Sequence, residues 1–306
     1  MAFRQYVAEE IAADAVDGII SRREALRRLG LLGVSATTAA VLLAACGGDD
    51  DDGAGGSGAS PEDEVSVPDE TATSAGADSG GTAPAGTEKL NDGSDLLVAY
   101  AEADPPQGAV LVIHENKGLT AHFKDFPGRL AADGYTAMAP DLLSRQGGTD
   151  SFSDQAEATA ALTGRSNEDL VADLTEVLDE LARRAPEQKL GVMGFCFGGG
   201  MTWSLLASGE GRAAAAIPFY GPLPEGADFS GTQAAVLAVY AELDERVNAS
   251  RDAAVAALQA AGLTHEVKTY PGVMHAFFND TGPRYDEAAA TDAYTAVLDW
   301  FGRHLS

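Results

Sequence analysis

Short apolar runs alternate with longer segments of helical period along the chain from residue 96 onwards. Runs bounded by Gly, Pro or Asp predict seven strands: Leu96 to Ala101, Ala109 to Ile113, Thr136 to Ala139, Leu190 to Gly194, Ala213 to Phe219, Ala234 to Tyr240 and His265 to Tyr270. Apolar positions three and four residues apart predict helices between them, at roughly 121–133, 167–184, 198–208, 249–261 and 286–304. This alternation is typical of an α/β fold, with a mostly parallel sheet that helices cover on both faces.

The first 45 residues follow a different pattern, with paired arginines ahead of an apolar stretch. The segment Ser21-Arg22-Arg23-Glu24-Ala25-Leu26-Arg27 precedes a stretch from Leu29 to Ala45 that ends in Leu43-Ala44-Ala45-Cys46. It resembles a twin-arginine export signal ending in a lipobox, although Ala25 stands where an aromatic residue is usual. The resemblance implies that residues 1–45 are a signal peptide and that Cys46 is lipidated. The protein would then be exported and anchored to the outer face of the cytoplasmic membrane, in the cell envelope.

An uncleaved N-terminal membrane helix is the alternative. The apolar stretch has about 17 residues, close to the shortest length that spans a bilayer, and its Gly and Thr residues make it a poor permanent span. Cleavage before Cys46 is therefore the preferred interpretation. Ahead of the signal, residues 1–20 predict a short amphipathic helix with no assigned role.

A polar segment follows the signal. From Gly47 to Glu88 the chain consists mainly of Gly, Ser, Ala, Thr, Pro and acidic residues, without Lys or Arg. Such a composition buries too little apolar surface to fold, so residues 46–88 are predicted to be the lipidated cysteine and a disordered linker. Residues 89–306 are the predicted catalytic domain. A calcium site in the run of aspartates that opens the linker is a weaker alternative.

Charge and cysteine content narrow the function classes. The formal net charge is -27, and residues 1–45 hold five Arg against five acidic residues, so the acidic excess lies downstream. Such a surface repels nucleic acid phosphates and suits a soluble exported domain, or alternatively one adapted to high salt. The two cysteines, Cys46 and Cys196, lie in such different contexts that we do not expect a disulfide between them.

The second cysteine lies in a glycine-rich turn. Gly194-Phe195-Cys196-Phe197-Gly198 follows an apolar strand and precedes a helical segment, and it has the Gly-x-Cys-x-Gly spacing of a nucleophile elbow. The N-terminus of the following helix favours a thiolate at this position. A buried structural cysteine and a dinucleotide-binding turn are the alternatives, but the G-x-G-x-x-G spacing of the latter is absent.

An acid and a histidine follow the cysteine in the chain order typical of α/β-hydrolases. Asp244 and His275 each come just after a predicted strand, where the carboxyl ends of parallel strands converge. His275 would accept the thiol proton and later activate water, and Asp244 would orient the imidazole. Glu242 and Glu245 are alternatives to the acid, and His114, which also follows a strand, is the alternative base.

Five separated motifs together resemble the dienelactone hydrolase family. They are Val112-Ile113-His114-Glu115-Asn116-Lys117-Gly118-Leu119, Gly134-Tyr135 with Ala139-Pro140-Asp141-Leu142, the elbow, Asp244 and His275. The resemblance implies the α/β-hydrolase fold and hydrolysis of a lactone or ester through a thioester on Cys196, without a metal or organic cofactor. It also implies that Glu115 helps form the thiolate and that the backbone N–H groups of Asn116 and Phe197 form the oxyanion hole.

One position departs from the family. Members that act on dienelactone bind its carboxylate with arginines, one of them four residues after the catalytic histidine, where this chain has Asn279. Arg145, Arg165 and Arg284 lie nearby in sequence, but none is matched to that role, so uncharged esters or lactones are expected to fit better. A general carboxylesterase or thioesterase of the same fold and a non-catalytic lipid-anchored binding protein are the alternatives. A monomer is expected.

Overall fold

Eight strands form one sheet in the part of the chain that the structure describes. The computed structural model describes residues 3–45, 87–90 and 93–306, so Cys46 and most of the predicted linker lie outside it. The strands are β1 (Thr87–Lys89), β2 (Leu97–Ala101), β3 (Gly108–Ile113), β4 (Tyr135–Asp141), β5 (Leu190–Phe195), β6 (Ala213–Phe219), β7 (Ala235–Ala241) and β8 (His265–Tyr270). Their order across the sheet is β1-β2-β4-β3-β5-β6-β7-β8. The neighbouring strands from β4 to β8 in this order are parallel, and β2 pairs antiparallel with both β1 and β4.

The predicted strands are confirmed, and one was missed. Every residue of β3 and β5 is buried, as expected for central parallel strands covered on both faces. β1 was not predicted because its three residues are polar and exposed, and it is held by backbone pairing with β2. The sheet therefore begins at Thr87, inside the segment that was predicted to be linker.

Helices cover the sheet. Those downstream of the linker are α4 (Ala121–Ala132), α5 (Gln155–Thr163), α6 (Asn167–Arg184), α7 (Phe197–Ala207), the short α8 (Glu245–Asn248), α9 (Arg251–Ala260) and α10 (Glu287–His304). Ser166 caps α6 by accepting a hydrogen bond from the backbone N–H of Asp169, and Asp286 caps α10 in the same way. The five predicted helices are present, whereas α5 and α8 were not predicted.

The N-terminal segment also folds into helices, α1 (Phe3–Val16), α2 (Arg22–Leu31) and α3 (Ala36–Ala45). The predicted helix within residues 1–20 is confirmed as α1. Tyr6, Ile11 and Leu29 are buried in the same hydrophobic core as the catalytic domain. Arg22 and Arg23 remain exposed at the start of α2. Among the described residues, no helix is both long enough and apolar enough to cross a membrane.

Candidate active site

Cys196 lies in a strained turn between β5 and α7. Its φ of 55° falls in the left-handed region that non-glycine residues rarely adopt, and its side chain is 1% exposed. A Cβ on Gly194 would lie 2.2 Å from the carbonyl oxygen of Gly198, and one on Gly198 would lie 2.2 Å from that of Ile113. Gly194 therefore lets the first turn of α7 pack against the end of β5, and Gly198 lets the elbow approach β3 closely, as the Gly-x-Cys-x-Gly spacing predicted.

Asp244 and His275 form a buried pair beside this turn. Asp244 follows β7 and His275 follows β8, and Nδ1 of His275 lies 2.5 Å from Oδ2 of Asp244. The other carboxylate oxygen of Asp244 accepts a hydrogen bond from the backbone N–H of Val247, which fixes its orientation. Burial raises the pKa of Asp244, but the charge and hydrogen bond of His275, the charge of Arg246 and the backbone N–H of Val247 together hold that pKa below its ordinary value. The carboxylate is therefore ionised at neutral pH and able to stabilise an imidazolium.

The alternative acids and base occupy different positions. Glu242 and Glu245 are exposed, whereas Asp244 is 5% exposed. His114 is fully buried; its Nε2 accepts a hydrogen bond from the backbone N–H of Leu142, and its Nδ1 lies 2.7 Å from the carbonyl oxygen of Glu115. Burial lowers the pKa of His114, so its imidazole is neutral and supports the loop after β3.

Glu115 follows β3 and lies, like Cys196 and His275, at the carboxyl ends of the parallel strands. Its carboxylate accepts a hydrogen bond of 2.8 Å from the side-chain amide of Asn279 and one of 3.4 Å from the hydroxyl of Tyr220. Burial raises the pKa of Glu115. Asn279, at the position where the resemblance suggests a carboxylate-binding arginine, therefore contacts Glu115. The sequence did not single out Tyr220, although it immediately follows β6 and packs its ring 5.0 Å from that of His275.

Of the two residues predicted to supply the oxyanion hole, Phe197 follows Cys196 in the chain and Asn116 lines the same cavity as Cys196. Phe197 is the first residue of α7, where backbone N–H groups of a helix point towards the turn. Asn116 follows Glu115 and is buried, and its side-chain amide donates a hydrogen bond of 3.0 Å to Oε1 of Glu10. The elbow and the loop after β3 thus meet at Cys196.

The three arginines near the site in sequence divide into two groups. Arg145 and Arg165 both donate to Asp173, at 2.6 Å each, and hold α6 against the loop after β4. Arg284 instead lines the cavity beside Cys196, where it pairs with Asp14 and Asp17 of the N-terminal segment.

Two residues of α1 contact the thiol directly. The Tyr6 hydroxyl lies 3.5 Å from Sγ of Cys196 and 3.4 Å from Nε2 of His275, and the Glu10 carboxylate lies 3.5 Å from the same sulfur. Burial, followed by the charges of Glu10 and Glu115, raises the pKa of Cys196 well above its ordinary value. The cysteine is therefore a thiol in this arrangement. Glu10, Cys196 and His275 also have potential metal ligand atoms within 4.8 Å of one another.

Comparison with known proteins places the chain in a family. The sequence profile described as "Dienelactone hydrolase family" matches residues 96–305, more than half of the chain. The chain belongs to the dienelactone hydrolase family. It is accordingly a hydrolase of the class that acts on esters and lactones.

Relatives of this dienelactone hydrolase family member match about 70% of the chain. A putative carboxymethylenebutenolidase of Salmonella typhi is 31% identical over an alignment of 230 positions, which covers 70% of this chain and 85% of the relative. One of Escherichia coli O157:H7 is 31% identical and covers 72% of this chain and 87% of its own length. The crystal structure of a putative dienelactone hydrolase from Klebsiella pneumoniae has a TM-score of 0.61, 29% identity, and coverage of 72% of this chain and 98% of its own. The Klebsiella protein therefore folds with almost no residues beyond those that match this chain, and without any segment that corresponds to the unmatched part of this chain.

Proposed function

We propose that this protein hydrolyses a carboxylic ester or lactone through a thioester on Cys196. The observation that carries the proposal is the meeting of Cys196, on its strained turn, with the His275–Asp244 pair at the carboxyl ends of β5, β7 and β8. This is the arrangement of nucleophile, base and orienting acid that nucleophilic catalysis needs. A lactone related to dienelactone is the proposed substrate class, because curated relatives are named putative carboxymethylenebutenolidases.

The proposed reaction has two halves. His275 accepts the proton of Cys196, and the thiolate attacks the carbonyl carbon to give a tetrahedral intermediate. Backbone N–H groups of Asn116 and Phe197 stabilise the oxyanion, a contribution of about 3 kcal/mol for each donor. The C–O bond then breaks, with the imidazolium returning its proton to the leaving alkoxide, and a thioester remains. Water, deprotonated by His275, hydrolyses the thioester and restores the thiol.

Glu115 has a proposed role in forming the thiolate when substrate binds. It is buried beside the nucleophile and its negative charge raises the pKa of Cys196, so its present hydrogen bonds to Asn279 and Tyr220 correspond to the resting thiol. Once substrate alters these hydrogen bonds, movement of the Glu115 charge away from Sγ would lower the pKa of Cys196 and favour transfer of the thiol proton to His275.

Trapping the acyl intermediate tests this mechanism. Residues 87–306 are incubated with p-nitrophenyl acetate, a dienelactone or a thioester, acid-quenched, and digested for mass spectrometry, beside the Cys196→Ala variant. We expect turnover of at least one substrate, with an acyl adduct on the Cys196 peptide and no turnover in the variant. Turnover that survives Cys196→Ala would contradict the thiol mechanism. Folded protein that turns over no substrate and forms no adduct would contradict the proposed activity.

We further propose that the protein is an exported lipoprotein, tethered to the membrane through Cys46. The support is the sequence of residues 21–46, together with the exposure of Arg22 and Arg23, which leaves the paired arginines accessible to an export receptor. We expect cells that express the full chain to incorporate labelled palmitate into it and to retain it in the membrane fraction. Cys46→Ala should abolish both. Equal labelling of the wild type and the variant would contradict lipidation at this residue.

A further inference from the structure

We propose that the cleft around Cys196 and His275, called the catalytic cleft below, is a docking surface for the chain's own helix α1. Docked α1 inhibits the enzyme until residues 1–45 are removed. The block of the nucleophile rests on the proposed role of Cys196. The docking itself rests on contacts that can be tested without any substrate. Three sets of contacts and the shape of the remaining space support it.

The first contact is made by Tyr6, whose side chain is fully buried. Its hydroxyl lies within 3.5 Å of Sγ of Cys196 and 3.4 Å of Nε2 of His275, the two atoms between which the proton must pass in the proposed reaction. A substrate carbonyl has to approach this sulfur. The phenol therefore occupies space that the reacting ester group requires.

The second contact is made by Glu10, four residues later and thus on the same face of the helix. Its carboxylate lies 3.5 Å from the sulfur and accepts a hydrogen bond of 3.0 Å from the side chain of Asn116. A carboxylate is also the group that ester hydrolysis releases, so Glu10 presents the chemistry of a bound product. Its negative charge further disfavours the thiolate.

The third set of contacts fastens the helix to the domain through arginines. Arg284 pairs with Asp14 at 2.8 Å and with Asp17 at 2.6 Å, and its side chain is only 11% exposed. Arg246 donates a hydrogen bond of 3.0 Å to the backbone carbonyl of Tyr6 and places its guanidinium 4.2 Å from the centre of the tyrosine ring. Two arginines of the domain thus hold the N-terminal segment, Arg284 through the carboxylates of Asp14 and Asp17 and Arg246 through Tyr6.

The fourth observation is the space that remains. The cavity that Cys196 lines has a volume of about 80 Å³, below the range of about 300–1,000 Å³ that is usual for ligand pockets. A wider recess of about 640 Å³ lies along the other flank of α1 and is lined by His275, but not by Cys196. The docked helix therefore separates the nucleophile from the open part of the cleft.

Most residues of the export motif remain exposed to solvent while α1 is docked. Arg22 and Arg23 are exposed, and Leu26 is 42% exposed. The opposite face of α2, with Ala25 and Leu29, is buried. A receptor could therefore recognise the precursor while α1 occupies the cleft. Removal of residues 1–45 would then free the enzyme at its destination.

The test measures how accessible Cys196 is in the full chain. Wild type, Tyr6→Ala, Glu10→Gln and the double variant are treated with iodoacetamide, and alkylation of the Cys196 peptide is followed by mass spectrometry, with Cys46 monitored separately. We expect the double variant to be alkylated about tenfold faster or more, the change given by about 1.4 kcal/mol of lost docking free energy. Turnover of p-nitrophenyl acetate should rise in parallel. Gln5→Ala, on the exposed face of α1, should match the wild type.

Excision and addition of the segment give an independent measurement. Residues 87–306 should be alkylated as fast as the double variant or faster, and a synthetic peptide of residues 3–20 should slow that reaction. Unchanged or slower alkylation in the double variant, at an unchanged melting temperature, would overturn the proposal. Faster alkylation with reduced turnover would also overturn it, because α1 would then be a productive lid. Faster alkylation, with turnover absent from every form including the excised domain, would support docking and contradict the proposed activity instead.

Discussion

Asp244→Asn is expected to lower kcat/KM for p-nitrophenyl acetate by about 10⁴-fold, the loss typical of a hydrolase whose catalytic histidine loses its orienting carboxylate. The short contact of 2.5 Å between Oδ2 of Asp244 and Nδ1 of His275 is the physical reason. The amide has the same shape but no charge, so it no longer stabilises the imidazolium, and it can hold the wrong tautomer. The measurement is steady-state hydrolysis by residues 87–306.

Glu245→Gln is the matched control for this prediction. Glu245 adjoins Asp244, but its side chain is exposed, so removal of its charge should change kcat/KM by less than about twofold. The thermal unfolding of both variants shows whether a loss of activity is a loss of folding. If Asp244→Asn retained more than a tenth of the wild-type activity, Asp244 would not be the acid that serves His275.

Asp173→Ala is expected to lower the free energy of unfolding by about 3–5 kcal/mol. The partners of Asp173 are Arg145 and Arg165, outside the candidate active site. Asp173 is 1% exposed and accepts hydrogen bonds of 2.6 Å from each of Arg145 and Arg165. Arg165 has a side chain that is 7% exposed, and its guanidinium would be left buried with a hydrogen bond to the carbonyl of Leu142 but no counter-charge. An uncompensated buried charge is costly because its lost hydration is not replaced.

Urea unfolding of residues 87–306 measures this effect. Glu176→Ala is the control, because Glu176 contacts the same Arg145 at 3.5 Å on the surface, where both side chains are about 40% exposed. Exposed pairs of that kind contribute about 0–1 kcal/mol, so the control should unfold close to the wild type. Equal effects of the two substitutions would show that the buried pairing around Asp173 does not stabilise the fold.

The fold was predictable from sequence wherever hydrophobic patterning determined it. The central strands β3, β5 and β7 are continuous apolar runs, and α6 and α10 carry clear helical periodicity with capping residues at their first turns. β1 lacked such a signal because its Thr-Glu-Lys residues are exposed and polar, and it is held by backbone pairing with β2 and by ion pairs of Glu88 and Lys89. α5 was missed because its Ala- and Thr-rich sequence has little periodic contrast between buried and exposed positions.

The candidate site was predictable to the extent that strand ends and chain order define it. The four residues were selected because each follows a strand, and the structure brings them together at the carboxyl ends of the strands: Cys196, Asp244, His275 and Glu115. The same criterion applied to His114, and only its three-dimensional contacts, inside the loop after β3, distinguish it from His275. Chain order carries no information about hydrogen-bond partners, so the contact between Asn279 and Glu115 could not be inferred.

Tyr6 and Glu10 could not have been assigned to the cleft from sequence. Their separation of four residues indicates that they share one face of a helix. The surface that this face covers includes Cys196, which lies almost 190 residues further along the chain, so it depends on the fold of the whole domain. The acidic residues near α1 were visible in the sequence, but the arginines that contact this segment, Arg284 through Asp14 and Arg246 through the carbonyl of Tyr6, lie more than 200 residues further along the chain.

The two edges of the described sheet affect how the protein behaves at high concentration. An exposed edge strand offers unpaired backbone groups to strands of other molecules and is a common origin of aggregation. Here β1 is only three residues long, and β8 at the other edge carries charged side chains in ion pairs with α10, Lys268 with Asp292 and Glu266 with Arg303. Another strand could add to β8 only by displacing these hydrated charges. Both edges therefore disfavour the β-sheet polymerisation that crowding promotes.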